Sequence, residues 1–355
     1  MPMTSLHHYL ESSARRLPYN PAVVAGDGAA VTYAQLDTLA NRLRDRLIAR
    51  GVKAGDRVAL VLPTSIEAIA AVFGVLKAGA AYVPVDPAAT VEQVGRVLGS
   101  NAPTAIIAEA SQSSRLKEVV AGQHPALAPV GWIEVDPLGA GEGLDRALSR
   151  LDRAGTAPSV PSVIAQPDGP ACVISTANDN GNQSTVPVSH RAAAAFIDWC
   201  SGVLHPSAND RFTSHAPLDA AASMLDLFLP IKHGASIVLM PDGLTAQPRG
   251  IADFVERMRI SVWGATPAVL TNAARVGHLR EHNYSRLRAV LCATDEGSTD
   301  ALHVVAAQLP HPRYLSLSGP LVANAYAWHE VQGSMTAERG VRDRVDHRLA
   351  ALQVV

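Results

Sequence analysis

The sequence predicts an α/β protein in which mostly parallel sheets are flanked by helices. Two observations carry this: stretches with apolar residues at helical spacing alternate with short apolar runs of strand type, and the alternation persists to about Val331. A third bounds the size. A chain of 355 residues, 48% hydrophobic and 17% charged, can bury one large or two medium lobes.

The clearest helix runs from Tyr33 to Arg50, with Leu36, Leu39, Ala40, Leu43 and Leu47 on one face. Thr32 stands as its cap, and Gly51 can leave it in a left-handed conformation. Next come a strand over Arg57 to Leu62, a helix over about Ser65 to Ala78, and a strand over Ala81 to Val85. Later strands are expected near Ala105, Cys172, Ile237, Val262, Val290 and Tyr314. Pro and Ala dominate Thr156 to Pro170, which reads as a connection between a first α/β lobe, 1–165, and a second, 166–355. The charged tail from about Met335 reads as a short solvated helix.

A formal charge of −2 and a pI near 6.7 supply no field that would draw in nucleic acid or an anionic membrane. Cys172, Cys200 and Cys292 are odd in number and far apart, as expected of buried thiols in a reducing cytoplasm. The N-terminus lacks an export-signal pattern, and the apolar run near Ala68 to Leu76 stops at Lys77, so a cytoplasmic protein with no membrane span is expected. No two histidines stand at i, i+4 around a carboxylate; His7, His8, His205, His215, His233 and His311 are scattered, and no metal site is expected.

Three segments carry a resemblance: Val31-Thr-Tyr-Ala-Gln-Leu36, Gly55-Asp-Arg-Val58 and Leu76-Lys-Ala-Gly-Ala-Ala-Tyr-Val-Pro-Val-Asp-Pro87. In order and spacing they resemble the N-terminal signature of the adenylate-forming superfamily, in particular the adenylation domains of nonribosomal peptide synthetases. Ser214 to Phe228, Gly264 to Pro267 and Leu317 to Val331 continue the likeness, which is nearest to stand-alone ligases that load proline or a similar amino acid onto a carrier protein. The resemblance implies a two-lobe N-terminal core. It also implies a strand-rich third lobe and a lid bearing a catalytic lysine, on the order of 150 residues more. Neither follows Val331, and both are expected to be absent.

The catalytic motifs depart from the family's pattern. Its phosphate loop reads roughly Tyr-Thr-Ser-Gly-Ser-Thr-Gly-x-Pro-Lys-Gly-Val-x-x-Ser-His, and in Ser175 to His190 only Thr176, Gly181, Val186, Ser189 and His190 match. Asn178, Asp179 and Asn180 replace residues whose small size and hydroxyls serve phosphate, and Ser184 stands where the lysine belongs. A carboxylate ~4 Å from a phosphate costs about 4 kcal/mol per charge pair at an effective dielectric near 20, which is about a thousandfold in affinity. The resemblance places Ala221 where an Asp would pair the amino acid's ammonium group; Asp219, two positions earlier, faces elsewhere if that segment is helical. At the family's magnesium segment, Ser318, Gly319, Pro320, Leu321 and Val322 keep the turn and lose the Tyr, Thr and Glu.

These losses predict weak or absent ATP and magnesium binding. The leading expectation is a catalytically degenerate scaffold that binds a carrier protein or peptide synthetase. One alternative reuses the cleft, with Cys172, Asp179, His190 and His215 converging for ATP-independent chemistry on a carrier-bound acyl or aminoacyl group. The other is a residual AMP-forming amino-acid ligase.

Overall fold

The computed structural model describes residues 5–123, 131–135, 162–163, 165–177, 183–214, 216–220, 222–241, 243–293, 299–318 and 327–331. Helix α1 (His7–Arg16) leads into β1 (Pro21–Val24) and β2 (Ala30–Thr32), then α2 (Tyr33–Ala49), β3 (Arg57–Val61), α3 (Ile66–Lys77) and β4 (Ala81–Val85). Next are α4 (Val91–Asn101), β5 (Ala105–Glu109), α5 (Ala110–Gln123), β6 (Gly131–Val135), and the hairpin of β7 (Pro170–Ala177) and β8 (Gln183–Ser189). The remainder runs α6 (His190–Leu204), β9 (Arg211–Ser214), α7 (Ser223–His233), β10 (Ser236–Leu239), α8 (Pro248–Arg257), β11 (Val262–Ala265), α9 (Pro267–Val276), β12 (Ala289–Ala293), α10 (Asp300–Ala306), β13 (Arg313–Ser318) and β14 (Ala327–Val331).

Local chemistry explains the ends. Thr32 Oγ1 accepts the Gln35 N–H, while the Gln35 side chain accepts the Thr32 N–H at 2.8 Å, so two otherwise orphaned donors at the start of α2 are satisfied reciprocally. Ser65 caps α3 by a single bond, its Oγ accepting the Ala68 N–H. Beyond α3 the backbone turns left-handed at Gly79, with φ +76°, and a Cβ there would lie 2.8 Å from Val163 Cγ1. Only glycine satisfies both demands.

One sheet has six strands in the order β6-β5-β3-β4-β7-β8, and the other has eight in the order β14-β13-β12-β11-β9-β10-β1-β2. Pairing is parallel except at the edges, where β7–β8, β13–β14 and β1–β2 are antiparallel. The sheets do not follow a division at residue 165. Strands β1 and β2 join the eight-stranded sheet, Val23 pairing in register with Ile237, whereas β7 and β8 complete the six-stranded one. Parallel partners need not be near in sequence, so the Pro- and Ala-rich stretch could not reveal this exchange. Residues 156–161 and 164 of that stretch, and the tail from Met335, lie outside the described residues.

The core explains why the strands read as continuous apolar runs. One cluster joins Val58 and Leu60 of the six-stranded sheet to Phe212, Ile237 and Leu291 of the eight-stranded sheet through helical residues such as Leu10, Leu43, Phe73 and Phe228. Phe73 and Phe228 meet edge to face, with centroids 5.7 Å apart. The outer face of the eight-stranded sheet is covered by α8, α9 and α10 around Trp263, and that of the six-stranded sheet by α4 and α5 around Ile106. Both sheets are thus buried on both faces. No helix among the described residues is long and apolar enough to cross a membrane.

Candidate functional site

Parallel sheets bind ligands beyond the carboxyl ends of their strands, where the polypeptide turns away and leaves a crevice. Here the ends of β3 and β4 from one sheet meet those of β9 and β10 from the other around a cavity of about 330 Å³. Thr64, Asp86, Ser214, Asp219 and Thr245 supply its polar wall, and no Lys or Arg lines it among the described residues. Asp86 closes its own turn by accepting the Ala88 N–H at 2.8 Å, and the Thr64 hydroxyl donates to the Ala216 carbonyl at 3.4 Å.

Asp219 belongs to this crevice. Its pKa is raised, first by burial and then by the nearby Asp86 carboxylate, against the lowering effect of its own backbone N–H. The expectation that it faces away from the position of Ala221 rested on a helical offset, and Ala221 lies outside the described residues. Residues 217 to 220 form a turn before α7, closed by the Ala220 N–H donating to the Pro217 carbonyl at 2.9 Å, so the helical angle does not apply. Asp86, Thr64, Ser214 and Thr245 were not singled out by sequence reasoning. Their common signal is position, at or just beyond the last residue of an apolar strand run.

The phosphate-loop hairpin is regular up to its tip. Thr176 pairs with Ser184 and Ala177 with Gln183 across the β7–β8 ladder. Asn178, Asp179, Asn180 and Gly181 lie outside the described residues, as do His215, Ala221, Gly319, Pro320, Leu321 and Val322. Ser318 ends β13, opposite Ala327 of β14.

Two candidates for new chemistry are built into the framework instead. Cys172 is fully buried in β7 beside Tyr82 of β4, and burial pushes its thiol up to about 12. Its thiolate is therefore scarce and enclosed, which is the opposite of an activated nucleophile. Cys200 and Cys292 are buried with raised pKa as well. The native protein should consequently resist alkylation at pH 8 at all three thiols and react at all three in denaturant, as read by intact mass; rapid native labelling of Cys172 would contradict its burial.

His190 is the first residue of α6, whose N-cap Ser189 accepts the Ala192 N–H. The imidazole is 2% exposed, and its Nδ1 accepts the Leu6 N–H at 3.2 Å, so the ring docks the N-terminal helix. Burial, with His8 adding to it, holds its pKa down at about 4, leaving a neutral acceptor that already has a donor. The described residues thus do not join Cys172 and His190 to Asp219 in the crevice. Asp226 is buried in α7 near Gly264 of β11.

Comparison with known proteins agrees with this architecture. An L-proline--[L-prolyl-carrier protein] ligase from Pseudomonas fluorescens is 30% identical over 340 residues, 95% of this chain and 65% of the relative. A ligase of the same name from Streptomyces coelicolor is 29% identical over 323 residues, 88% of this chain and 58% of the relative. The chain thus spans about three fifths of these relatives. The crystal structure of the nonribosomal peptide synthetase FmoA3 in its α-methyl-L-serine-AMP bound form superposes with a TM-score of 0.78 at 28% identity, covering 93% of this chain and 35% of that one. The family model described as AMP-binding enzyme matches residues 10–348, and this chain belongs to that adenylate-forming family.

Proposed function

We propose that this chain is a catalytically degenerate adenylation domain, which acts in nonribosomal peptide synthesis by binding a carrier protein or peptide synthetase rather than by activating an amino acid with ATP. The observation that carries the reading is the charge of the crevice: Asp86 and Asp219 line it, and no cation does among the described residues. A triphosphate entering such a crevice meets like charge with no compensating cation among the described residues. The sequence of the loop supports the same conclusion, since Asp179 and Ser184 replace a small hydroxylic residue and the lysine of the family's pattern. The named functions of the two ligases and the synthetase support the pathway and the carrier-protein partner.

The identity to proline-loading ligases favours a second reading, a residual amino-acid ligase with weakened nucleotide affinity. ATP–pyrophosphate exchange with a panel of amino acids separates the two. The scaffold reading expects exchange at the level of a protein-free control; robust exchange with any amino acid overturns it. A cleft enzyme acting on a carrier-bound group has less support, because Cys172 is enclosed and His190 is engaged by Leu6.

A further inference from the structure

The first turn of α1 carries a cluster that the crevice does not use. His7 is fully buried, and neither of its ring nitrogens has a hydrogen-bond partner. A buried polar atom left unpaired costs about 1–3 kcal/mol, and such an atom in a native fold calls for a missing partner such as a water or an ion. Ligand atoms of His7, His8 and Glu11 all lie within 4.8 Å of one another.

The surroundings prepare Glu11 for a cation. Ser162 Oγ donates to Glu11 Oε1 at 2.6 Å, and Lys77 Nζ lies 3.7 Å from the same oxygen. The other oxygen, Oε2, faces His8 Nε2 at 4.0 Å. An outer partner on one oxygen is the arrangement that orients a metal-binding carboxylate. Nearby positive charges have carboxylates of their own: Lys77 pairs with Asp37 at 2.6 Å and Arg44 with Asp45 at 2.8 Å.

We propose that His7, His8 and Glu11 bind a divalent transition-metal ion of the zinc class, with a further position open to water at the partly exposed rim. Two imidazoles and one carboxylate form a donor set that suits zinc. With metal–nitrogen bonds of about 2.0–2.1 Å, tetrahedral ligand atoms stand about 3.4 Å apart. The cluster therefore closes by up to about 1.4 Å, the difference between 4.8 Å and that spacing, and the partly exposed His8 side chain supplies most of the movement. The ion fastens the first turn of α1, beside the point where Leu6 N–H meets His190. A search for histidines at i, i+4 misses this set, because the histidines are adjacent and the carboxylate follows one helical turn later.

The test uses the full chain, stripped with a chelator and titrated with Zn²⁺ by calorimetry and with Co²⁺ by visible absorption. Expected are one equivalent bound at micromolar or lower Kd, a tetrahedral Co²⁺ spectrum and a higher Tm with zinc. His8→Ala and Glu11→Gln should each weaken binding by tenfold or more, while His311→Ala on the surface should not. His8→Ala should keep the metal-free Tm, which separates lost ligation from lost folding. Absence of saturable binding at one equivalent, or unchanged affinity in both ligand variants, overturns the proposal.

Discussion

Asp210→Ala is expected to destabilise the chain by about 1–3 kcal/mol, the cost of leaving buried hydrogen-bonding groups without their partner. Asp210 is 5% exposed just before β9 and accepts five hydrogen bonds: from Arg288 Nε at 2.8 Å and Nη2 at 2.9 Å, from Ser261 Oγ at 2.7 Å, and from the Ser207 N–H at 2.7 Å and Oγ at 3.1 Å. Ser261 precedes β11 and Arg288 precedes β12, so one carboxylate ties together the entry ends of three parallel strands. Its loss leaves the Ser261 hydroxyl, the Ser207 N–H and the half-buried Arg288 guanidinium without their shared acceptor. Denaturant titration at pH 7 measures the effect, and a loss below about 1 kcal/mol would show that the strands hold without the pair.

The same group sets an acid limit. Burial alone would raise the Asp210 pKa, but Arg288, Ser261 and the Ser207 N–H outweigh it and hold the value below that of a free Asp. A depressed folded pKa stabilises at every pH above the unfolded value near 3.9, and that contribution fades as pH falls through the lower folded value. Asp210→Ala should therefore differ most from the parent at neutral pH and converge with it in strong acid.

Restoring the phosphate loop is the second large expectation. Asp179→Ser with Ser184→Lys should raise ATP affinity about a thousandfold, since removing one carboxylate near a phosphate recovers about 4 kcal/mol at an effective dielectric near 20. The returned lysine adds to that gain. Calorimetry on the double variant measures it, and an affinity equal to the parent's would place the defect elsewhere in the crevice.

The legible part of the fold was the part written in local chemistry. The Thr32 capping box, the apolar stripe of α2 and the strands near Ala81, Ala105, Val262 and Val290 all stand where spacing placed them. The lobe boundary was not legible, because pairing of β1 with β10 joins residues more than two hundred positions apart and no local pattern encodes it. The candidate site divides in the same way. The altered loop could be read from residue types alone, whereas the placement of Asp219 depended on whether Pro217 to Ala220 forms a turn or a helix. Cys172 and His190 looked reactive as residue types and are spent on packing and on holding α1, which only their neighbours reveal.

The central claim is that this member of the family does not hold ATP, and it is tested most directly by calorimetric titration of the unaltered chain with ATP and Mg²⁺. The account predicts no saturable heat up to millimolar nucleotide; binding at micromolar Kd would contradict it.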